Sequence, residues 1–122
     1  DKWSMPAWVE DLCGWLRFLA YESDASGVLH LCQSGEPVSW HGYAVTALKC
    51  AVKHGLLPSL PPVAEQKLDE QAGFRDARPR HTAMSCERLA SLMKRPVRTY
   101  EEAIDLAVAR YASDPTFLSR IS

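Results

Sequence analysis

Apolar residues recur along this chain mainly at every third or fourth position, the spacing of one helical face. Trp8, Leu12, Trp15 and Leu19 form the longest such stripe, widened by Val9 and Leu16. Pro6 suits a first helical turn, where a missing N–H costs nothing, and Glu10 and Asp11 sit near the positive end of the dipole. A helix is predicted over 6–21, with its aromatic stripe as core.

A second helix is predicted over 40–54, capped by Ser39 and closed by Gly55. Its inner face reads Trp40, Ala44, Ala47, Leu48, Ala51 and Val52. The small residues permit close helix–helix approach, which predicts a central helix. The proline-rich run Leu56 to Pro62 reads as an extended connector packed on the core. A third helix is expected at about 62–72, with Val63 and Leu68 inward and Gly73 ending it. A fourth is expected over 83–94, stopped by Pro96.

The fifth helix has the clearest start. Thr99 and Glu102 match a capping box, and Tyr100, Ile104, Ala107, Val108 and Tyr111 then share one face. Asp114-Pro115 caps a last short helix carrying Phe117, Leu118 and Ile121. Residues 22–38 are ambiguous. The run Val28 to Cys32 fits a short strand or a helical turn, and a lone strand has nowhere to place its hydrogen bonds. The fold predicted is therefore all-α: one domain over 1–122, a bundle of five to six short helices with at most one minor β element near 28–32. Asp1 to Ser4 reads either as an expression scar or as the edge of a domain cut from a longer chain.

Composition changes little: 47% hydrophobic and 24% charged is ordinary for a globular domain. No apolar run approaches the roughly 18–20 residues needed to cross a bilayer, so no membrane association is expected. No secretory pattern opens the chain. Cys13, Cys32, Cys50 and Cys86 contain no CxxC pair. Their even count permits two disulfides, but Cys13, Cys50 and Cys86 fall inside predicted helices and read as small buried hydrophobes, so an intracellular, reducing compartment is expected.

Charge changes the picture more. Arg75, Arg78, Arg80, Arg88, Lys94, Arg95 and Arg98 face only Asp76 and Glu87 within residues 75–98, although the whole chain sums to -1. Segregation of this kind predicts a positive face and an acidic partner. Guanidinium groups fit bidentate recognition of carboxylates, so the reading is a non-enzymatic interaction domain that grips an acidic protein surface. Its contact residues are Arg75, Arg78, Arg80, Arg95, Arg98 and Lys94, with Trp3 and Phe18 as aromatic anchors lying off the main stripe. The alternative partner is nucleic acid, held through phosphates by the same arginine loop and a helix-turn-helix outline across 83–112. Glu101 and Glu102 in the first turn of the second helix oppose a groove-reading role.

Enzyme chemistry has thinner support. His30-x-Cys32 is too closely spaced for a usual zinc loop, and Cys13-Gly14-Trp15 places its thiol in mid-helix, away from the dipole that activates cysteines. Ser91-Leu92-Met93-Lys94 has the Ser-x-x-Lys spacing without its companion motifs. The glycines stand singly, so no phosphate loop exists, and no calcium loop is present. The sequence therefore names no catalytic residue, no metal, no cofactor and no small-molecule substrate.

Overall fold

The computed structural model describes residues 1–121, with side chains for 1–120; Ser122 and the side chain of Ile121 lie outside the described residues. The order of elements is β1 (Trp3–Ser4), α1 (Val9–Tyr21), β2 (Val38–Ser39), α2 (Trp40–Lys53), a 3-10 turn (Leu68–Glu70), β3 (His81–Thr82), α3 (Glu87–Met93), α4 (Tyr100–Ala112) and α5 (Pro115–Ile121). The class is α/β, five helices with a mixed three-stranded sheet, and the all-α expectation is corrected.

β1 is the middle strand. It runs antiparallel to β2, with Trp3 opposite Ser39 and Ser4 opposite Val38, and parallel to β3, with Trp3 opposite His81 and Ser4 opposite Thr82. Strands of two residues cannot display a period-two alternation, which is why the hydrophobic pattern conceals them. What holds them is long-range pairing: Trp3 N–H donates to the Arg80 carbonyl at 2.7 Å, and Trp40 N–H to the Lys2 carbonyl at 3.1 Å. Lys2 also ties down the third strand by donating from Nζ to the Thr82 hydroxyl at 3.1 Å.

The helix ends follow their caps. The Ser39 hydroxyl accepts from Gly42 N–H, and the Thr99–Glu102 capping box is complete. α1 begins at Val9 rather than at Pro6, and α3 begins at Glu87, four residues later than expected. The helix expected over 62–72 is reduced to the 3-10 turn, although Leu68 is buried as predicted. Pro61 and Pro62 leave the preceding chain few donors, so too few turns remain to propagate a helix. Residues 22–37 form neither a helix nor a strand, and only Ser34 bridges to Thr99.

The core is displaced from its expected centre. Trp15, Leu89 and Val97 form its buried cluster, with Leu12, Leu29, Leu31, Cys86, Ala90 and Met93 against it. Helix α2 holds no fully buried residue and packs along α4. The two are clamped at one end, where Asp105 accepts from Lys53 Nζ at 2.8 Å and lies 2.8 Å from His54 Nε2. Those hydrogen bonds, Lys53 first and His54 second, hold the Asp105 carboxyl below its ordinary range. A depressed folded-state value contributes stability above the unfolded value and loses it as pH falls through the folded value. Asp105→Asn is therefore expected to lower the melting temperature at pH 7, with the gap from wild type closing only as pH falls below the ordinary carboxylate range. A gap that stays constant down to pH 2 would contradict this role.

Candidate functional site

One open cavity of about 740 Å³ lies where the sheet meets the start of α2. Its walls come from β1 (Lys2, Trp3), the start of α2 (Ser39, Trp40, His41, Ala44) and the connector at 63–71. Local chemistry explains how each wall stands. Ser39 caps α2, so Trp40 is the first helical residue and its indole stays half-exposed. His41 fastens the connector, with Nε2 3.2 Å from the Val63 carbonyl and Nδ1 3.7 Å from Glu65. Asp1 accepts from Leu68 N–H at 2.7 Å and pairs with Arg80 at 3.1 Å; Arg80 also bonds Asp69.

The rim is aromatic and then cationic. Phe74 meets Trp40 edge-on at 6.2 Å, and the Arg78 guanidinium lies 4.6 Å above the Phe74 ring. A guanidinium over a ring keeps its N–H donors free along its edge. Arg75, next to Phe74 in the chain, is exposed, and no partner for it exists among the described residues. The cavity itself carries Asp1, Glu65 and Glu70 against Lys2 and Lys67. Such a wall suits hydroxyl groups, which donate to carboxylates, better than it suits phosphates. The phosphate-friendly place is the rim.

The predicted positive face is dismantled by this arrangement. Arg80 is neutralised by Asp1 and Asp69, and Arg98 is paired with Asp11 of α1 at 2.9 Å and lies 5.8 Å from the Trp8 ring centre. Arg88 donates to the carbonyls of Val28 and Ser26 and so holds a loop. Lys94 adopts the left-handed conformation, φ 54°, at the end of α3, and Arg95 follows it, both exposed. Phe18 is half-buried on α1. The structure thus lines the cavity with Trp3, ties Arg80 to its Asp1 and links Arg78 to its Trp40 through Phe74, and places Lys94, Arg95, Arg98 and Phe18 on other elements. Charge counted along a chain does not reveal which carboxylates fold onto it.

Three residues of the site escape the sequence reading. Trp40 is assigned there to the inner face of its helix, and neither His41 nor Phe74 is singled out. The Ser39 cap marks where Trp40 enters its helix, but the contact with Phe74 joins positions 34 residues apart and leaves no local signal.

The thiols offer no chemistry at this cavity. All four cysteines are unpaired, and Cys13 is exposed rather than buried. Burial, then the neighbouring Cys86, pushes the Cys32 thiol up to about 11, which keeps it protonated and inert. Among the described residues no group of three His, Cys, Asp or Glu side chains could hold a metal ion.

Comparison with protein families decides the class. Residues 1–113 match the model of the RmlD substrate binding domain. The chain belongs to the RmlD substrate-binding domain family. No curated protein and no solved structure matches the chain closely enough to count as a relative. RmlD proteins are dTDP-4-dehydrorhamnose reductases, enzymes that use NAD(P). Membership overturns the reading of a non-enzymatic regulator that grips an acidic protein surface. It also overturns the expectation of no small-molecule substrate, because the RmlD family binds a sugar nucleotide and NAD(P)H. Among the described residues no helix is long and apolar enough to cross a membrane.

The RmlD cofactor is a dinucleotide, and the described residues do not fit one. A dinucleotide pyrophosphate needs a glycine-rich turn opening onto a free helix N-terminus. Here the start of α2 is closed by the Ser39 side chain, and a Cβ on Gly42 would already lie 3.2 Å from Val38 and 3.3 Å from Ser39. The start of α4 is closed by Thr99 and Glu102.

Proposed function

We propose that this chain supplies the sugar-nucleotide side of an NAD(P)-dependent dTDP-4-dehydrorhamnose reductase, with the cavity between β1, α2 and the 63–71 connector as the substrate site. The observation that carries the reading is the continuous wall Trp40–Phe74–Arg78 at the rim of that cavity. An aromatic face beside a free guanidinium is the pairing a nucleoside diphosphate requires: a base stacks, and phosphate oxygens take a planar fork of donors. Arg75 and Arg78 receive the diphosphate. Sugar hydroxyls donate to Glu65 and Glu70, and Lys67 donates to a sugar oxygen. Trp3 closes the opposite wall. The same reading places the protein with the cytoplasmic RmlD enzymes, where its unpaired thiols stay reduced.

The test is a tryptophan-fluorescence titration with dTDP and, separately, thymidine. The double variant Arg75→Ala/Arg78→Ala is expected to weaken dTDP binding at least about tenfold, as loss of charge-assisted hydrogen bonds predicts. Thymidine binding should stay unchanged, and added salt should weaken only dTDP. Equal dTDP affinity in wild type and double variant would remove the diphosphate assignment.

A further inference from the structure

A second cavity, of about 830 Å³, opens between the first turn of α1 and the far end of α4, and it shares no wall residue with the cavity assigned to the sugar nucleotide. Trp8, the residue just before α1, lines it. Two guanidiniums are held over that indole, Arg98 at 5.8 Å and Arg110 at 5.4 Å from the ring centre. Each is anchored by one carboxylate: Arg98 donates from Nε to Asp11 at 2.9 Å, and Arg110 from Nη1 to Glu10. The two terminal nitrogens of Arg98, and Nε and Nη2 of Arg110, meet no acceptor among the described residues. Each set is a two-donor edge, the shape that fits a planar carboxylate. Acceptors are left over as well. Oε2 of Glu10 has no donor among the described residues, and Asp114 accepts from Thr116 N–H through Oδ1 at 2.8 Å and leaves Oδ2 without one. Leu106 and Tyr111, 42% and 52% exposed, supply an apolar wall.

We infer that this cavity binds an α-amino acid with an apolar side chain, its carboxylate on the free edges of Arg98 and Arg110 and its ammonium on Glu10 and Asp114. The lining charges select the class. Glu10, Asp11 and Asp114 outnumber Arg98 and Arg110, so a phosphate or a dicarboxylate would meet net repulsion. A neutral polyol would leave the guanidinium edges without an anionic partner. A zwitterion answers both signs at once and carries no net charge. Ring and carboxylate already hold each guanidinium in place, so little side-chain freedom is lost on binding. The ligand's aliphatic side chain lies on Leu106 and on the Tyr111 ring, which Phe117 backs at 4.7 Å. So small a ligand on so open a site binds with a dissociation constant on the order of 1 mM. The inference is independent of the nucleotide site.

An NMR titration of amide and indole signals with L-leucine, up to about 20 mM at constant ionic strength, tests it over a range that brackets that constant. Wild type is expected to shift the Trp8 indole, Arg98 and residues 106–114, with the Trp40 indole unmoved. 4-Methylpentanoate, which lacks the ammonium, and L-leucinamide, which lacks the carboxylate, should each bind at least about tenfold more weakly. Arg110→Gln and, separately, Asp114→Asn should weaken leucine by a similar factor. Asparagine can still accept from Thr116 N–H, and an otherwise unchanged amide spectrum verifies the fold. Arg75→Ala/Arg78→Ala should leave leucine binding as in wild type, which separates this cavity from the nucleotide site. No shift of the Trp8 indole at 20 mM leucine, about twenty times the expected constant, overturns the inference. So does equal binding of 4-methylpentanoate, because the ammonium then has no contact. Tighter binding of inorganic phosphate or of methyl α-glucoside than of leucine overturns it too, since the cavity is then an anion or a sugar site.

Discussion

Trp15→Ala is expected to cost the domain about 3–5 kcal/mol, the range for removing a large aromatic side chain from a core. Trp15 is 5% exposed and packs with Leu89, fully buried, and Val97, 6% exposed. It is the buried residue of α1 among those described, and Leu12 of the same helix packs against the cluster beside it. Its loss leaves a cavity lined by Leu12, Leu29, Leu31 and Met93, on three separate segments that cannot all relax into it. Since a domain of this size has on the order of 5–15 kcal/mol in total, the variant should unfold at much lower denaturant. Urea denaturation measures the effect, and Leu16→Ala on the exposed face of the same helix is the control, expected within about 0.5 kcal/mol of wild type. A Trp15→Ala loss below about 1 kcal/mol would contradict this core.

Gln33→Leu should cost about 2–5 kcal/mol for a different reason: it strands polar groups rather than emptying space. Gln33 is 1% exposed and satisfied on all sides. Its Oε1 accepts from Trp8 N–H at 3.1 Å, and its Nε2 donates to Asp11 Oδ2 and to the Arg98 carbonyl, each at 3.1 Å. Its own N–H donates to the Pro6 carbonyl at 3.0 Å. One amide thus joins the entry to α1, the entry to α4 and the 31–34 segment. Leucine keeps the volume and loses every side-chain bond, which leaves Trp8 N–H and the Arg98 carbonyl without those partners. Gln33→Glu keeps the shape but sets a carboxylate against Asp11, so its penalty at pH 7 should exceed that of leucine and shrink near pH 4 as one carboxyl protonates. Denaturant midpoints at the two pH values check both. Wild-type stability of Gln33→Glu at pH 7 would contradict the assignment.

These residues show what periodicity can and cannot convey. α2 and α4 begin at their capping residues because Ser39 and Thr99 sit one residue before each helix, and a cap is a local signal. α1 is legible as an element, but its inner face is narrower than its apolar stripe: Val9 and Leu16 have the right spacing and point outward. The sheet is not legible, since β1, β2 and β3 owe their existence to pairings between residues about 35 to 80 positions apart. Gln33 looks like any polar loop residue until Trp8, Asp11 and Arg98 converge on it. The arginine cluster misleads by the same blindness, because Asp1, Asp11 and Asp69 reach it only after folding. Of the site, Trp3 and the arginines at 75–80 stand out in the sequence, whereas Trp40, His41 and Phe74 need the fold to bring them together.

The most direct measurement for the substrate site is a two-dimensional amide and indole NMR titration with dTDP. The site described here predicts shifts at the Trp3 and Trp40 indoles and across Phe74 to Arg80, with the Trp8 and Trp15 indoles unmoved. Shifts centred instead on Trp8 and Arg110, or none at millimolar dTDP, would contradict it.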